Sequence, residues 1–136
     1  ARERFTDPAS TYMDGEAVFK FCIERVPALV ADVLEKNEVA LDQVDHVVLH
    51  QANAMILEAL RRKLRVPKEK FVLALERFGN TASATIPLAL VESAASRPVV
   101  GKSLVAGFGV GLSWAGACVT IREGVVVPEV VDVGEP

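Results

Sequence analysis

The residues of this chain whose types and spacing invite chemistry are His50 in "VVLHQAN" and Asn80 in "RFGNTAS", together with a glycine-rich stretch, "GFGVG", at 107–111. A neutral imidazole can donate a hydrogen bond or shuttle a proton. An asparagine amide offers two N–H donors and does not titrate. Two neutral donors aimed at one oxygen stabilise a developing enolate or oxyanion. Glycines let backbone N–H groups face a cavity without side-chain obstruction. Each feature also has a plainer reading. His50 alone fits a satisfied core or cap residue, Asn80 after Gly79 a turn residue, and "GFGVG" a tight hairpin. His46, just ahead of the strand that ends at His50, reads as structural. Cys22 on the apolar face of a helix and Cys118 in a strand read as small hydrophobes rather than nucleophiles.

The elements that must position these residues follow from the hydropathy pattern. Apolar residues at 18, 19, 22, 26, 29, 30, 33 and 34 have helical spacing from Glu16 to Lys36. Pro27 should kink or split that helix, and Asn37 is a plausible stop. A short helical turn near Asp42 leads into a strand at about 45–49, and a second helix runs from about Asn53 to Leu64, with Pro67 marking its end. "KFVLAL" at 70–75 reads as a short strand. "GNTAS" is a turn, with Thr81 or Ser83 available to cap a helix at about 83–96. Pro87 is tolerable only in the first turn of that helix. "KSLVAGFGVG" and "LSWAGACVTI" read as an antiparallel pair with a tight glycine-rich connection. The closing "VVPEVVDVGEP" reads as a tail packed on a neighbour or disordered. Alternation of helix and strand, ending in two adjacent strands, predicts an α/β fold with a mixed sheet. His50, Asn80 and the glycine stretch then lie at the carboxyl ends of strands, where functional groups gather in open α/β sheets.

The bulk properties fit one domain over residues 1–136. Hydrophobic residues make up 51% of the chain and the mean hydropathy is +0.31, so the sequence predicts either a sheet covered on both faces or an extra apolar face meant for a partner. No apolar run approaches the roughly 18 residues that span a bilayer, and "ARERFTDPAS" lacks the apolar stretch of a signal peptide. The two cysteines suggest neither a disulfide framework nor a zinc site, which makes a reducing cytoplasm the expectation. Net charge is -3, yet "RRKLRVPKEK" at 61–70 carries six basic residues against one acidic. A basic patch on an acidic protein fits a specific acidic partner better than general nucleic-acid binding. Its plainer reading is a solvated helix end whose cations complement the dipole.

Four strings in one order, "MDGEAVFKF", "VVLHQAN", "RFGNTASATIPLAL" and "GFGVGLSWAGACV", closely resemble the C-terminal half of β-ketoacyl-acyl-carrier-protein synthase III, a thiolase-like condensing enzyme. The resemblance runs from about Tyr12 to Ile121. It implies a thiolase-like half, with a five-stranded mixed sheet layered with helices, packed in the complete enzyme against a similar N-terminal half within a dimer. It also implies a reaction. A cysteine takes an acyl group from a coenzyme A thioester, malonyl-carrier protein loses carbon dioxide, and the resulting enolate attacks the acyl-cysteine. His50 and Asn80 match the pair that hydrogen-bonds the malonyl thioester carbonyl, so no cofactor or metal is expected. Gly109, Val110 and Gly111 match the loop that completes a second oxyanion hole with the nucleophile's own N–H. Many relatives have glycine where this chain has Val110. Gly15, Phe19, Ala52 and Asn53 match contacts to the pantetheine arm, and Phe108 a residue near the acyl pocket. Lys20, Arg62 and Lys63 fall where the family presents a basic face to the acidic carrier protein.

Neither Cys22 nor Cys118 matches the family's nucleophile, which belongs to the N-terminal half. The expectation is therefore a cleaved piece, a subunit or an expressed domain that needs its other half for the acyl-cysteine step and is poorly soluble without it. Two other readings stay open. One is a relative that transfers acyl groups without condensation. The other is a non-catalytic partner that only binds a carrier protein or completes a dimer.

Overall fold

A computed structural model describes residues 13–96, 98–109 and 111–125. The expectations for the polar start, for Val110 and for the "VVPEVVDVGEP" tail fall on positions outside the described residues.

The chain opens with α1 (Gly15–Lys36). Asp14 caps it, its Oδ1 accepting from Ala17 N at 3.1 Å. Asn37 ends it as expected, with Nδ2 donating to Val33 O at 2.7 Å. Contrary to expectation, Pro27 does not split the helix. Pro27 cannot donate to the carbonyl one turn back, and proline inside a helix costs about 3 kcal/mol. The apolar stripe Cys22, Val26, Val30 and Val33 is buried on both sides of it, against α2 (Ala54–Leu64) and the sheet. Burial at roughly 1.5–3 kcal/mol for each large side chain outweighs the lost bond.

The sheet has the order β1 (His46–Leu49), β2 (Gly101–Gly109), β3 (Ser113–Ile121). β1 runs parallel to β2, pairing His46 with Ser103 and Leu49 with Ala106. β2 and β3 are antiparallel, with Phe108 opposite Trp114 and Gly109 opposite Ser113. The sheet is mixed, as the pattern predicts, but has three strands among the described residues rather than five. β1 is buried along its whole length, which explains its unbroken apolar run. One face packs against α1 and α2 through Val26, Val30, Leu57, Leu60 and Leu104. The other carries Val48, which packs with Val72, Ala74 and Ala89, the last from α4 (Thr85–Ser96). Pro87 lies in the first turn of α4, where proline is tolerated.

The strand expected at 70–75 does not form. Phe71 makes a single parallel bridge to Val47, Val72 N donates to Val47 O at 2.9 Å, and the chain then turns into the short α3 (Leu75–Phe78). The side chain of Gln51 takes the place of the rest of the ladder. Its Oε1 accepts from Ala74 N at 2.9 Å, and its Nε2 donates to Leu49 O at 2.7 Å and to Val72 O at 3.4 Å. Gln51 is 1% exposed, so these bonds form in a medium where an unpaired polar group is expensive. No helix among the described residues is long and apolar enough to cross a membrane.

Candidate active site

His50 follows the last residue of β1. Its backbone N–H donates to Ala106 O at 2.8 Å, which continues the β1–β2 ladder by one bond and fixes where the ring leaves the sheet. The ring stacks edge-on against Phe108 of β2, centroids 5.4 Å apart at 90°. Nδ1 lies 2.7 Å from Thr85 Oγ1 at the start of α4. Burial lowers the His50 pKa below its usual 6.5, partly offset by the Ala82 carbonyl, so the imidazole is neutral at pH 7.

Asn80 is set by the residue before it. Gly79 has φ +62° and ψ −149°, a region open essentially to glycine alone. Asn80 Oδ1 then accepts from Ala82 N at 3.0 Å. A backbone N–H only donates, so this bond identifies the oxygen and leaves both amide protons on Nδ2 free to serve a ligand. Thr81 makes no side-chain cap to the short 3₁₀ turn Ala82–Ala84 that precedes α4; Asn80 reaches the first N–H of that turn instead. Gly79→Ala is expected to destabilise the fold by about 1–3 kcal/mol, read by urea denaturation, and to displace Asn80. The added methyl would meet nothing within 4 Å, so the effect is one of backbone conformation and not of a clash.

His50, Asn80, Phe108 and Gly109 line one open pocket of about 580 Å³, together with Thr85, Ile86 and Trp114. The sequence reading thus places four of its site residues around one cavity. Gly111 (φ +139°) sits in the β2–β3 turn, beside Val110, which lies outside the described residues. The expected pantetheine contacts stand elsewhere. Gly15 begins α1, Phe19 and Ala52 are half-buried against the main core, and Asn53 caps α2 by accepting from Ile56 N at 2.8 Å. Thr85 and Trp114 were not singled out from the sequence. Thr85 stands five residues after Asn80, the first polar side chain of a helix that is otherwise apolar over "TIPLAL", which is the signal that marks it.

The basic stretch divides into two parts. Arg61 is mostly buried against Glu58 and donates to Val66 O at 2.9 Å. Lys70 donates to Asp42 O and Val44 O at 2.7 and 2.8 Å. These two are structural. Arg62, Lys63, Arg65 and Lys68 are exposed, although Arg62 Nε also donates to Glu58 Oε1 at 2.6 Å. Hydrogen bonds from Arg61 and Arg62 hold the Glu58 carboxyl at about 2. Lys20 on α1 is exposed and 4.0 Å from Glu24.

The titrations separate in pH. His50 is harder to protonate in the fold than in the unfolded chain, so the unfolded state takes up the proton first as pH falls below 6.5. Stability should therefore drop as pH is lowered from 7 through the His50 pKa, whereas the Glu58 contribution is lost only as pH falls from 4.5 toward 2. Urea midpoints measured across both windows test this, and a flat profile between pH 7 and 5 would contradict it.

Cys22 is 2% exposed within α1, and burial raises its thiol pKa. Neither it nor Cys118 lines the pocket. Among the described residues no group of three His, Cys, Asp or Glu side chains is placed to hold a metal ion.

Comparison with known proteins identifies the family. The family described as 3-oxoacyl-[acyl-carrier-protein] synthase III C terminal matches residues 34–121. The β-ketoacyl-[acyl-carrier-protein] synthase III of Prochlorococcus marinus (strain MIT 9301) is 40% identical over 109 residues, covering 79% of this chain and 32% of that protein. A crystal structure of 3-oxoacyl-(acyl-carrier protein) synthase from Burkholderia xenovorans LB400 superposes with a TM-score of 0.82 at 30% identity, over 95% of this chain and 38% of that one. The priming β-ketosynthase of the R1128 polyketide biosynthetic pathway superposes with a TM-score of 0.77 at 32% identity, over 89% and 38%. The chain spans about a third of the length of the curated relatives it matches. With a thiolase-like α/β fold and 88 residues (34–121) inside the matched region, this chain belongs to the 3-oxoacyl-[acyl-carrier-protein] synthase III C-terminal family.

Proposed function

We propose that this chain supplies the enolate-stabilising part of a β-ketoacyl-acyl-carrier-protein synthase III-type condensing enzyme, acting on malonyl-carrier protein and an acyl-coenzyme A donor in the cytoplasm. The observation that carries this reading is the shared pocket of His50 and Asn80, in which each side chain has one polar atom tied to the 82–85 turn. The atoms left over are His50 Nε2 and Asn80 Nδ2.

In the proposed reaction the malonyl thioester carbonyl sits between those two nitrogens. The bond to the carboxylate breaks, carbon dioxide leaves, and its electron pair moves through the α-carbon onto the carbonyl oxygen. Two N–H donors stabilise that oxygen as negative charge develops, and they do so in a part-buried site where such bonds are worth more than in water. The enolate carbon then attacks an acyl-cysteine. That cysteine would come from the N-terminal half, as the family resemblance implies; Cys22 and Cys118 do not line the pocket. The second oxyanion hole would combine the nucleophile's own N–H with one from the glycine loop. No cofactor enters this scheme. Gly15, Phe19, Ala52 and Asn53 would guide the pantetheine arm, and exposed Lys20, Arg62 and Lys63 would meet the acidic carrier. The complete enzyme would be a dimer.

Asn80→Asp tests the reading selectively. Aspartate keeps the oxygen that accepts from Ala82 N, so the turn survives, but an ionised carboxylate has no proton to donate. With the chain joined to its cysteine-bearing half, carbon dioxide release from malonyl thioester should fall at least ~10²-fold. An unchanged rate would count against the assignment.

A further inference from the structure

Among the described residues, three that are not glycine hold a left-handed backbone: Glu38 (φ +54°), Arg65 (φ +57°) and Ala82 (φ +51°). A side chain makes that region costly, and such strain persists only where the surroundings over-determine it. Glu38 and Arg65 follow the last turns of α1 and α2, where a left-handed residue is an ordinary way to stop a helix. Ala82 has no such place. It opens the short 3₁₀ turn ahead of α4, and it lines the pocket with His50 and Asn80. Ala82 is exposed, so burial of its methyl group does not compensate the strain.

The hydrogen bonds of Ala82 supply the constraint. Its N–H donates to Asn80 Oδ1 at 3.0 Å. Its carbonyl accepts from the Thr85 backbone N–H and from Thr85 Oγ1 at 3.0 Å. That hydroxyl oxygen lies 2.7 Å from His50 Nδ1, and the same carbonyl serves the His50 ring as an acceptor. One side of a single residue thus reaches Asn80, and the other reaches His50. With planar peptides, the angle between the N–H and the C=O of one residue is set by its φ and ψ. Moving φ to the right-handed side turns one of the two groups away from its partner.

The geometry points to Ala82 as a positioning residue whose left-handed backbone sets Asn80 and His50 relative to each other, so that both face one substrate oxygen. Ala82 acts through these two side chains rather than on the reacting carbonyl. The inference rests on the enolate-stabilising reading above.

The test compares Ala82→Val, Ala82→Asn and Ala82→Gly. A β-branched residue is an outlier at positive φ, whereas asparagine and glycine enter that region readily. Valine and asparagine are similar in size, so the pair separates backbone conformation from crowding of the pocket. In the joined enzyme, Ala82→Val should release carbon dioxide about 10²-fold more slowly, the loss expected from a misplacement of about 1 Å. Ala82→Asn and Ala82→Gly should recover most of that rate. The second readout is the NMR titration of His50, on the chain purified with any polypeptide that accompanies it. The Ala82 carbonyl favours the protonated ring, so the His50 pKa should fall in Ala82→Val and hold its wild-type value in the other two. The chain has only two histidines, and His46, held by Val100 O at 3.2 Å, reports that the fold is intact. A folded Ala82→Val that keeps either the rate or the His50 pKa overturns the inference, and so does an Ala82→Asn as slow as the valine variant. If Ala82→Val does not fold, Ala82→Leu, also ill-suited to positive φ but unbranched at Cβ, takes its place with the same two readouts. Failure of the underlying reading has a separate signature. Carbon dioxide release that survives His50→Ala rejects the enolate role, while the His50 titration still reports on Ala82.

Discussion

His50→Ala in the joined enzyme is expected to slow carbon dioxide release from malonyl thioester by about 10²–10³-fold. His50 is held at three points: its backbone N–H on Ala106 O, its ring in a T-shaped contact with Phe108, and Nδ1 against Thr85. A donor fixed in this way needs no reorganisation as charge develops, which is why its removal is felt mainly in the transition state. The effect should appear in kcat more than in KM, because the ground-state carbonyl accepts a weaker bond than the enolate. The fold should tolerate the change, since His50 is only half-buried and its ring supports no strand. The same variant separates the other two readings. A carrier-binding scaffold would keep its complex and lose nothing in activity. An acyltransferase without condensation would keep transferring acyl groups and show no carbon dioxide release to lose.

The largest expected effect on stability belongs to Gln51→Leu. The substitution nearly preserves volume but strips the amide from a site that is 1% exposed. Ala74 N, Leu49 O and Val72 O lose the partners they have in Gln51. Each buried backbone group left unpaired costs about 1–3 kcal/mol, so a total of roughly 3–5 kcal/mol is expected once relaxation recovers part of the loss. That is a large share of the stability of an ordinary domain. The Ala74 bond also anchors the segment that leads into α3 and on to Gly79 and Asn80. Amide exchange at Ala74 should therefore accelerate along with the loss in urea midpoint. A midpoint within the range of a surface substitution, about 0.5 kcal/mol, would show that Gln51 is not the substitute for a ladder that its contacts describe.

Much of the site was legible because it rests on local signals. The apolar run Val47–Leu49 marks a strand buried on both faces, and His50 breaks that run at its carboxyl end. Gly79 before Asn80 marks an unusual backbone, and Asn53 before an apolar-periodic stretch marks a helix start. These features need only neighbours in sequence. What escaped depends on side chains reaching across the chain. Gln51 acts on Ala74, and His50 on Thr85, over separations of 23 and 35 residues, and no periodicity records such a partnership. "KFVLAL" has the composition of a strand, yet after one bridge its backbone bonds go to a glutamine rather than to another strand. Pro27 was read by its intrinsic cost, which the burial of four neighbouring side chains on α1 overrides. Likewise the basic stretch at 61–70 looks uniform in sequence, whereas packing assigns Arg61 and Lys70 to the fold and leaves Arg62, Lys63, Arg65 and Lys68 to solvent.

The central claim is that His50 and Asn80 donate to one and the same oxygen. A double-mutant cycle of His50→Ala and Asn80→Asp, read as the rate of carbon dioxide release from malonyl thioester by the joined enzyme, tests it most directly. Residues that act as a unit are non-additive. The predicted result is a double variant little slower than the worse single one, with each single variant already reduced by at least ~10²-fold. Single variants that keep the wild-type rate, or losses that simply multiply, would contradict it.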